Sequence, residues 1–329
     1  MPSSSDKTAR AKATSPDTKE FRILALSGGG YLGLYTAAVL AALEEQIGEP
    51  IGRRFDLVAG TSVGAIVAAA VALEVPLRDM VELFQRHGTQ VFSPRSLPTG
   101  VVGRLIDMGR SVTGPKYSSA ALRTALHRHL GDRTLAQVPH PLVLPAVNVS
   151  RSLTKVFKTP HAAASRGDED VPIIDAVMAS SAAPAYFPAV RIGDALYADG
   201  GLFAVAPDQV ALHEAEHFMQ VPLARVRMLS VGTATVGYQP AQGLSEDAGA
   251  IGWLADGRLI MTLIAVQQQH VQAMMENRLG EHYLRLDATW PPQAGLGIDI
   301  ATPQAAQILL NLAEQTLHAA NPQQLRTFL

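Results

Sequence analysis

A chain of 329 residues, 47% of them apolar and 17% charged, has material for one large domain or two small ones and for a sizeable core. Its formal net charge of −2 argues against a nucleic-acid polymer as ligand and against steering by an anionic surface, so any contact with lipid must be local and largely apolar. The absence of cysteine removes disulfides, thiolate metal sites and cysteine nucleophiles together.

Met1 to Glu20 is rich in Ser, Thr, Lys and Ala and lacks the apolar stretch of a secretory signal, so it reads as a disordered tail on a cytoplasmic protein. Phe21 to Leu26 reads as a buried strand, Gly28 to Gly30 as a turn, and Leu32 to about Gln46 as a helix. A second strand, Phe55 to Ala59, enters another turn and a helix from Val63 to about Leu73. Two strand-turn-helix units in succession predict an α/β fold with a parallel sheet, whose ligand chemistry sits at the carboxyl ends of the strands. The longest nearly apolar stretch, Val63 to Val75, is about half of the roughly 20 residues that span a bilayer, which predicts a soluble protein still able to act at a membrane surface. From His87 to Tyr117 the pattern loosens, with Pro94, Pro98, Gly100, Gly103, Gly109, Gly114 and Pro115 breaking any long element; residues 87–117 are a candidate cap. Helices are predicted over Ser118 to Leu130, Ile173 to Ser180, Ile251 to Asn277 and Pro303 to Ala319. Strands are predicted over Leu142 to Val149, Leu153 to Lys158, Ala195 to Ala198, Val226 to Val231 and His282 to Leu286. No internal repeat or boundary follows residue 20: residues 21–329 read as one domain whose part from 235 to 329 is mainly helical.

Gly60-Thr61-Ser62-Val63-Gly64 is a G-x-S-x-G sequence placed between a predicted strand and a predicted helix. In that context the serine occupies a sharp turn that holds its Oγ clear of the backbone, with the positive end of the next helix directed at it. Ser62 is therefore a candidate nucleophile, and otherwise a cap on a glycine-rich helix entry. Gly28-Gly29-Gly30-Tyr31-Leu32-Gly33 has two readings. Its three successive glycines offer N–H groups to an oxyanion formed at Ser62, yet G-x-G-x-x-G also suits a dinucleotide. The second reading wants an acidic residue at the carboxyl end of the second strand, and Asp56 stands at the opposite end. None of the ten histidines has a recognisable catalytic context. His213 and His217 are one helical turn apart but lack a third metal ligand. Asp199-Gly200-Gly201 follows a short strand, so Asp199 is a candidate base acting on the serine directly, and otherwise an Asp-Gly turn. The long helix Ile251 to Asn277 is expected to pack in the core rather than to form a lipid lid.

Taken together, the glycine loop, the Ser62 turn and Asp199-Gly200-Gly201 resemble the patatin-like phospholipase family in order and spacing over roughly residues 21 to 235. Ala179 to Pro188 looks like that family's Ala/Ser-rich segment, and Leu229 to Thr233 like its later core strand. The resemblance implies a three-layer α/β/α fold around a mostly parallel sheet. It also implies a phospholipase A-type ester hydrolase with Ser62 as nucleophile and Asp199 as base, without histidine. Gly28, Gly29 and Gly30 would form the oxyanion hole, supported by Gly60, Gly64, Gly200 and Gly201 as turn residues. No metal or cofactor is implied for the chemistry. Two departures stand out: Leu32 occupies a place where the family usually has Arg or Lys, and Leu202 to Ala206 lacks the Asn residues often found before Pro207. The run Leu26 to Ala37 is similar to bacterial phospholipases that serve as effectors of cyclic-oligonucleotide anti-phage defence. That similarity implies a cyclic dinucleotide activator, a phospholipid membrane surface as substrate, and action at the inner face of the cell membrane; a homo-oligomer is a candidate partner state that the sequence leaves open. The competing functions are a histidine-dependent esterase on soluble esters and a catalytically silent nucleotide-binding module.

Overall fold

The computed structural model describes residues 19–93, 114–163, 165–239, 249, 252–253, 257–291 and 295–329. Most of the tail 1–20 and of the candidate cap 87–117 lies outside them. The strands are β1 (Phe21–Leu26), β2 (Leu57–Gly60), β3 (Leu142–Asn148), β4 (Leu153–Lys158), β5 (Val190–Ile192), β6 (Ala195–Asp199), β7 (Val226–Val231) and β8 (Tyr283–Leu286). They form one sheet in the order β5-β6-β3-β2-β1-β7-β8, with β4 paired to β3. Strands β3, β2, β1, β7 and β8 run parallel, whereas β4 and β6 run antiparallel to β3. The predicted α/β class and mostly parallel sheet are what the chain forms.

Successive strand residues point to opposite faces of a sheet, and here both faces are covered. Leu24, Leu26, Val58, Leu229 and Val231 face one core, with α1 (Gly33–Ile47), α2 (Val63–Ala72), α3 (Leu77–Val91), α4 (Ser119–Leu130), α5 (Ile173–Ser180) and α8 (Pro303–Ala319). Ile23, Ala25, Leu57, Ala59 and Met228 face the other, with α6 (Asp208–His213) and α7 (Arg258–Leu279). A short α9 (Pro322–Arg326) ends the chain. Three layers follow from this alternation, and it explains why β1 reads as an unbroken apolar run from Ile23 to Leu26.

All ten residues of α2 are buried, so the longest apolar stretch of the sequence is a helix enclosed by protein. Among the described residues no helix is long and apolar enough to cross a membrane. Helix α3 is missing from the sequence reading and runs through the start of the expected cap. Its buried positions Leu77, Met80, Leu83, Phe84, Gly88 and Val91 carry a helical spacing that the Gly and Pro residues after it obscured. Helix α7 begins later than expected, at Arg258, and packs Met261, Ile264, Gln268, Val271 and Met275 inward while Leu263 and Val266 stay exposed. The short β5 and α6 are further elements absent from the sequence reading.

Candidate active site

The sheet brings Ser62 and Asp199 together through a shared flank of β3. Val143 pairs with Lys158 of β4 on one side and with Ala59 of β2 on the other. Three residues further on, Ala146 pairs with Lys155 of β4 and with Asp199 of β6. Strand β4 therefore fills one side of β3, while β2 and β6 share the other and approach head to head. The carboxyl ends of both strands meet in that gap, carrying the two sequence-predicted residues with them.

Ser62 has φ 57° and ψ −125°, an uncommon conformation for a residue with a side chain. Such strain costs on the order of 1–3 kcal/mol and persists only where the surroundings enforce it. Two serines do so from the end of α5. Ser62 N–H donates to Ser180 Oγ at 3.1 Å, and Ser181 Oγ–H donates to the Ser62 carbonyl at 3.0 Å. Ser180 is itself anchored by donating to Pro145 O at 2.6 Å. The Ala/Ser-rich segment is visible in the sequence, but nothing there assigns a task to either hydroxyl. At Gly64 a Cβ would run into the carbonyl oxygens of Leu26 and Ser27, so only glycine lets α2 start this close to β1. Gly60 likewise lies against the first turn of α2.

Asp199 is 5% exposed. Its N–H donates to Ala182 O at 3.0 Å, and its Oδ1 accepts from Gly201 N–H at 2.7 Å. Ser62 and Asp199 line the same cavity, and the Ser62 hydroxyl favours the charged form of the carboxylate. Burial pushes the Asp199 pKa up to about 6, against the nearby Ser62 hydroxyl and the Gly201 N–H, which favour the charged form. At neutral pH the group is therefore an ionised acceptor, and its raised pKa makes it a stronger base than an exposed carboxylate. Gly200 fits beneath Pro145, where its missing side chain lets the turn close.

The glycine loop follows β1, beside β2: Leu26 pairs with Gly60, and Thr61 N–H donates to Leu26 O. The expected trio of oxyanion donors is corrected at Gly28, whose N–H is taken by Val205 O at 2.8 Å. Among the described residues, the N–H groups of Gly29 and Gly30 have no such partner. Gly30 adopts φ +59° against Ile298, a left-handed conformation that suits glycine. Residues with no motif signal hold the loop in place. Thr233 Oγ–H donates to Gly28 O at 3.3 Å, and Gln268 Nε2 reaches Thr233 Oγ1 at 3.1 Å and Gly28 O at 3.5 Å. Its neighbour Gln267 accepts from Val205 N–H and donates to Gly201 O, each at 3.1 Å. Two adjacent glutamines of α7 thus tie the glycine loop to the Asp199 turn. The buried Arg285 continues the support, donating to Gln268, Ser230 and Asp287. The only sequence sign of the brace is a polar run, Gln267 to Gln269, inside an apolar helix.

A cavity of about 140 Å³ opens beside Ser62 and Asp199, with Val63, Ile66, Phe92, Leu122, Phe187, Ile260, Leu263, Ile264 and Ile298 among its walls. Its lining suits an acyl chain rather than a charged ligand. Among the described residues no histidine and no cationic side chain lines it. Leu32 is fully buried in the core beside the loop, so the place where the resemblance calls for a cation is apolar. His161 contacts Thr159 and Glu214, and His140 contacts Glu74, both away from Ser62. His213 and His217 stack with ring centroids 5.1 Å apart. Asp56 accepts from Arg22 N–H at the amino end of the sheet, the wrong end for holding a ribose near the glycine loop. Leu202 and Phe203 project outward after the Asp199 turn, 53% and 37% exposed.

The layered sheet, the elbow at its carboxyl edge and the apolar cavity define a hydrolase of the α/β/α type. Residues 24–212 match the patatin-like phospholipase family, and the chain belongs to it. It is 36% identical to a cGAMP-activated phospholipase of Pseudomonas aeruginosa over 302 residues, which cover 92% of this chain and 85% of the relative. It is also 32% identical to a cGAMP-activated phospholipase of Vibrio cholerae over 320 residues, covering 90% of this chain and 89% of the relative. A cGAMP-activated phospholipase of Escherichia coli is 29% identical over 330 residues, with 93% and 90% covered.

Proposed function

We propose that this chain cleaves the carboxylic esters of membrane phospholipids through a Ser62–Asp199 dyad and an acyl-enzyme. The observation that carries the reading is the placement of Ser62, on its strained turn, and the buried Asp199 together on the wall of one apolar cavity, beside glycine N–H groups at Gly29 and Gly30 that have no partner among the described residues. Asp199 takes the proton of Ser62 as Oγ bonds to the ester carbonyl carbon, and the N–H groups of Gly29 and Gly30 receive the oxyanion. Collapse expels the alcohol or lysolipid, which takes the proton from Asp199. Water then gives a proton to Asp199 and attacks the acyl-enzyme, and the release of fatty acid returns that proton to Ser62.

The similarity to cGAMP-activated phospholipases over more than 90% of the chain in two of the three relatives supports the second half of the reading: a cyclic dinucleotide, cGAMP first, switches the enzyme on in anti-phage defence. The protein then acts from the cytoplasm, peripherally, at the inner face of the cell membrane. Fluorophosphonate labelling and fatty-acid release from vesicles, each with and without cGAMP, test both halves. Labelling that requires Ser62 and increases with cGAMP is the expected result. Labelling indifferent to cGAMP removes the activator, and no labelling under either condition removes the enzyme.

A further inference from the structure

Large apolar side chains exposed among the described residues are Val149, Leu153, Leu202, Phe203, Val236, Leu263, Val266 and Met274. Scattered exposure of this kind is ordinary, but six of the eight gather around the mouth of the catalytic cavity. Val149 and Leu153 flank the turn between β3 and β4 and share a surface hollow with Leu202 and Phe203. Leu202 and Leu263 also line the cavity holding Ser62 and Asp199. Val266 lies one turn along α7 from Leu263, on the stretch that Gln267 ties to Gly201 and Val205. The rim is therefore continuous from the β3–β4 turn across the 202–203 segment to α7.

Charge at the rim narrows the partner. Arg151, at the tip of the β3–β4 turn, is exposed and has no ion-pair partner among the described residues. Arg191 is exposed on β5 opposite Leu196, whose carbonyl accepts from Val149 N–H. Asp194, in the turn between β5 and β6, is the acidic neighbour of this edge. Apolar side chains with guanidinium groups beside them match a phospholipid surface, hydrocarbon below and phosphate above. A second copy of the chain seated here would close the entrance that Leu202 and Leu263 form.

We propose that this rim is the face by which the chain docks on a phospholipid bilayer. Val149, Leu153, Phe203 and Val266 enter the acyl region, while Arg151 meets headgroup phosphates. An acyl chain then passes from bilayer to cavity without crossing water. The proposal rests on the lipid-hydrolase reading given above.

The test uses the full chain with cGAMP present, the double variant Leu153→Glu/Val266→Glu, and Arg151→Glu. Flotation with phosphatidylethanolamine–phosphatidylglycerol vesicles reports docking, p-nitrophenyl butyrate hydrolysis and fluorophosphonate labelling report the site and its folding, and sedimentation equilibrium reports oligomeric state. The double variant is expected to keep soluble-ester turnover within about twofold while losing at least about tenfold in vesicle binding and fatty-acid release. Arg151→Glu is expected to lose about fivefold or more at low salt, an effect that fades as salt is added. A wild-type protein that does not float with vesicles, or a double variant that floats as well as wild type, overturns the proposal. If the double variant instead dissociates an oligomer and leaves vesicle binding unchanged, the rim is a contact between copies. A wild type that binds vesicles yet is neither labelled nor active on the soluble ester sinks the hydrolase reading while leaving the docking readout standing.

Discussion

The turns at Ser62 and Asp199 meet at one point in space but are made by different means. The Ser62 turn belongs to a single strand-turn-helix unit, in which β2, the strained elbow and α2 follow one another within residues 57–72. The Asp199 turn arrives on an antiparallel strand inserted along β3, and its surroundings are held by residues far away in sequence. Ala182 receives the Asp199 N–H, and Gln267 receives Val205 N–H while donating to Gly201 O. The turn of the proposed nucleophile is therefore formed locally and then locked by Ser180 and Ser181, whereas the proposed base and oxyanion donors depend on tertiary contacts for their placement as well as their support. Helix α7 contacts both turns at once through Gln267 and Gln268.

The largest test of this contrast removes the nucleophile. Ser62→Ala is expected to lose at least about 10⁴-fold in fatty-acid release and all fluorophosphonate labelling. Asp199→Asn should slow both by about 10²- to 10⁴-fold without abolishing them, because the elbow and the glycine donors survive. Equal losses in the two variants would indicate that nucleophile and base act as one unit rather than as separately built parts.

Because Asp199 must be ionised to accept the Ser62 proton, kcat/KM should rise with pH, reach half its plateau near pH 6 and fall about tenfold per unit below that. A profile still flat at pH 5 would contradict a base raised by burial. The brace on α7 comes next in size. Gln267→Ala and Gln268→Ala are each expected to lower kcat by about tenfold or more through misplacement of the loops, with KM changed by less than about threefold. A loss confined to KM would mean that the glutamines serve the substrate rather than the loops.

The smallest effect is on stability. The folded pKa of Asp199 is raised from 3.8 to about 6, so the folded state binds the proton more tightly than the unfolded chain. The resulting penalty grows as pH rises from 3.8 to about 6 and is full above that range. Asp199→Asn should therefore stabilise the fold by on the order of 1–3 kcal/mol at pH 8, with the gain shrinking toward pH 4, as urea unfolding at the two pH values would measure.

The strands β1, β4 and β7 and the helices α5 and α8 match their sequence-predicted bounds, and α2 differs by one residue at its end. Ser62, Asp199 and the glycine loop were legible for the same reason: glycines at strand ends, apolar periodicity and a serine between two glycines are local patterns. Helix α3 was equally legible by its spacing but was lost beside a breaker-rich stretch. The carbonyl partner of Gly28 N–H was not legible, since Val205 approaches it only through the folded sheet.

By itself, then, the sequence determined a layered α/β fold with a serine and an aspartate at strand ends, because the forces that form strands, turns and helices act over a few residues. Only the tertiary structure decided that β6 runs antiparallel beside β3 and that Gly28 gives up its N–H. It alone decided that Gln268 reaches Gly28 from 240 residues away, and that exposed apolar side chains from three segments form one rim. Those outcomes depend on which surfaces bury each other, and neither periodicity nor spacing records that choice.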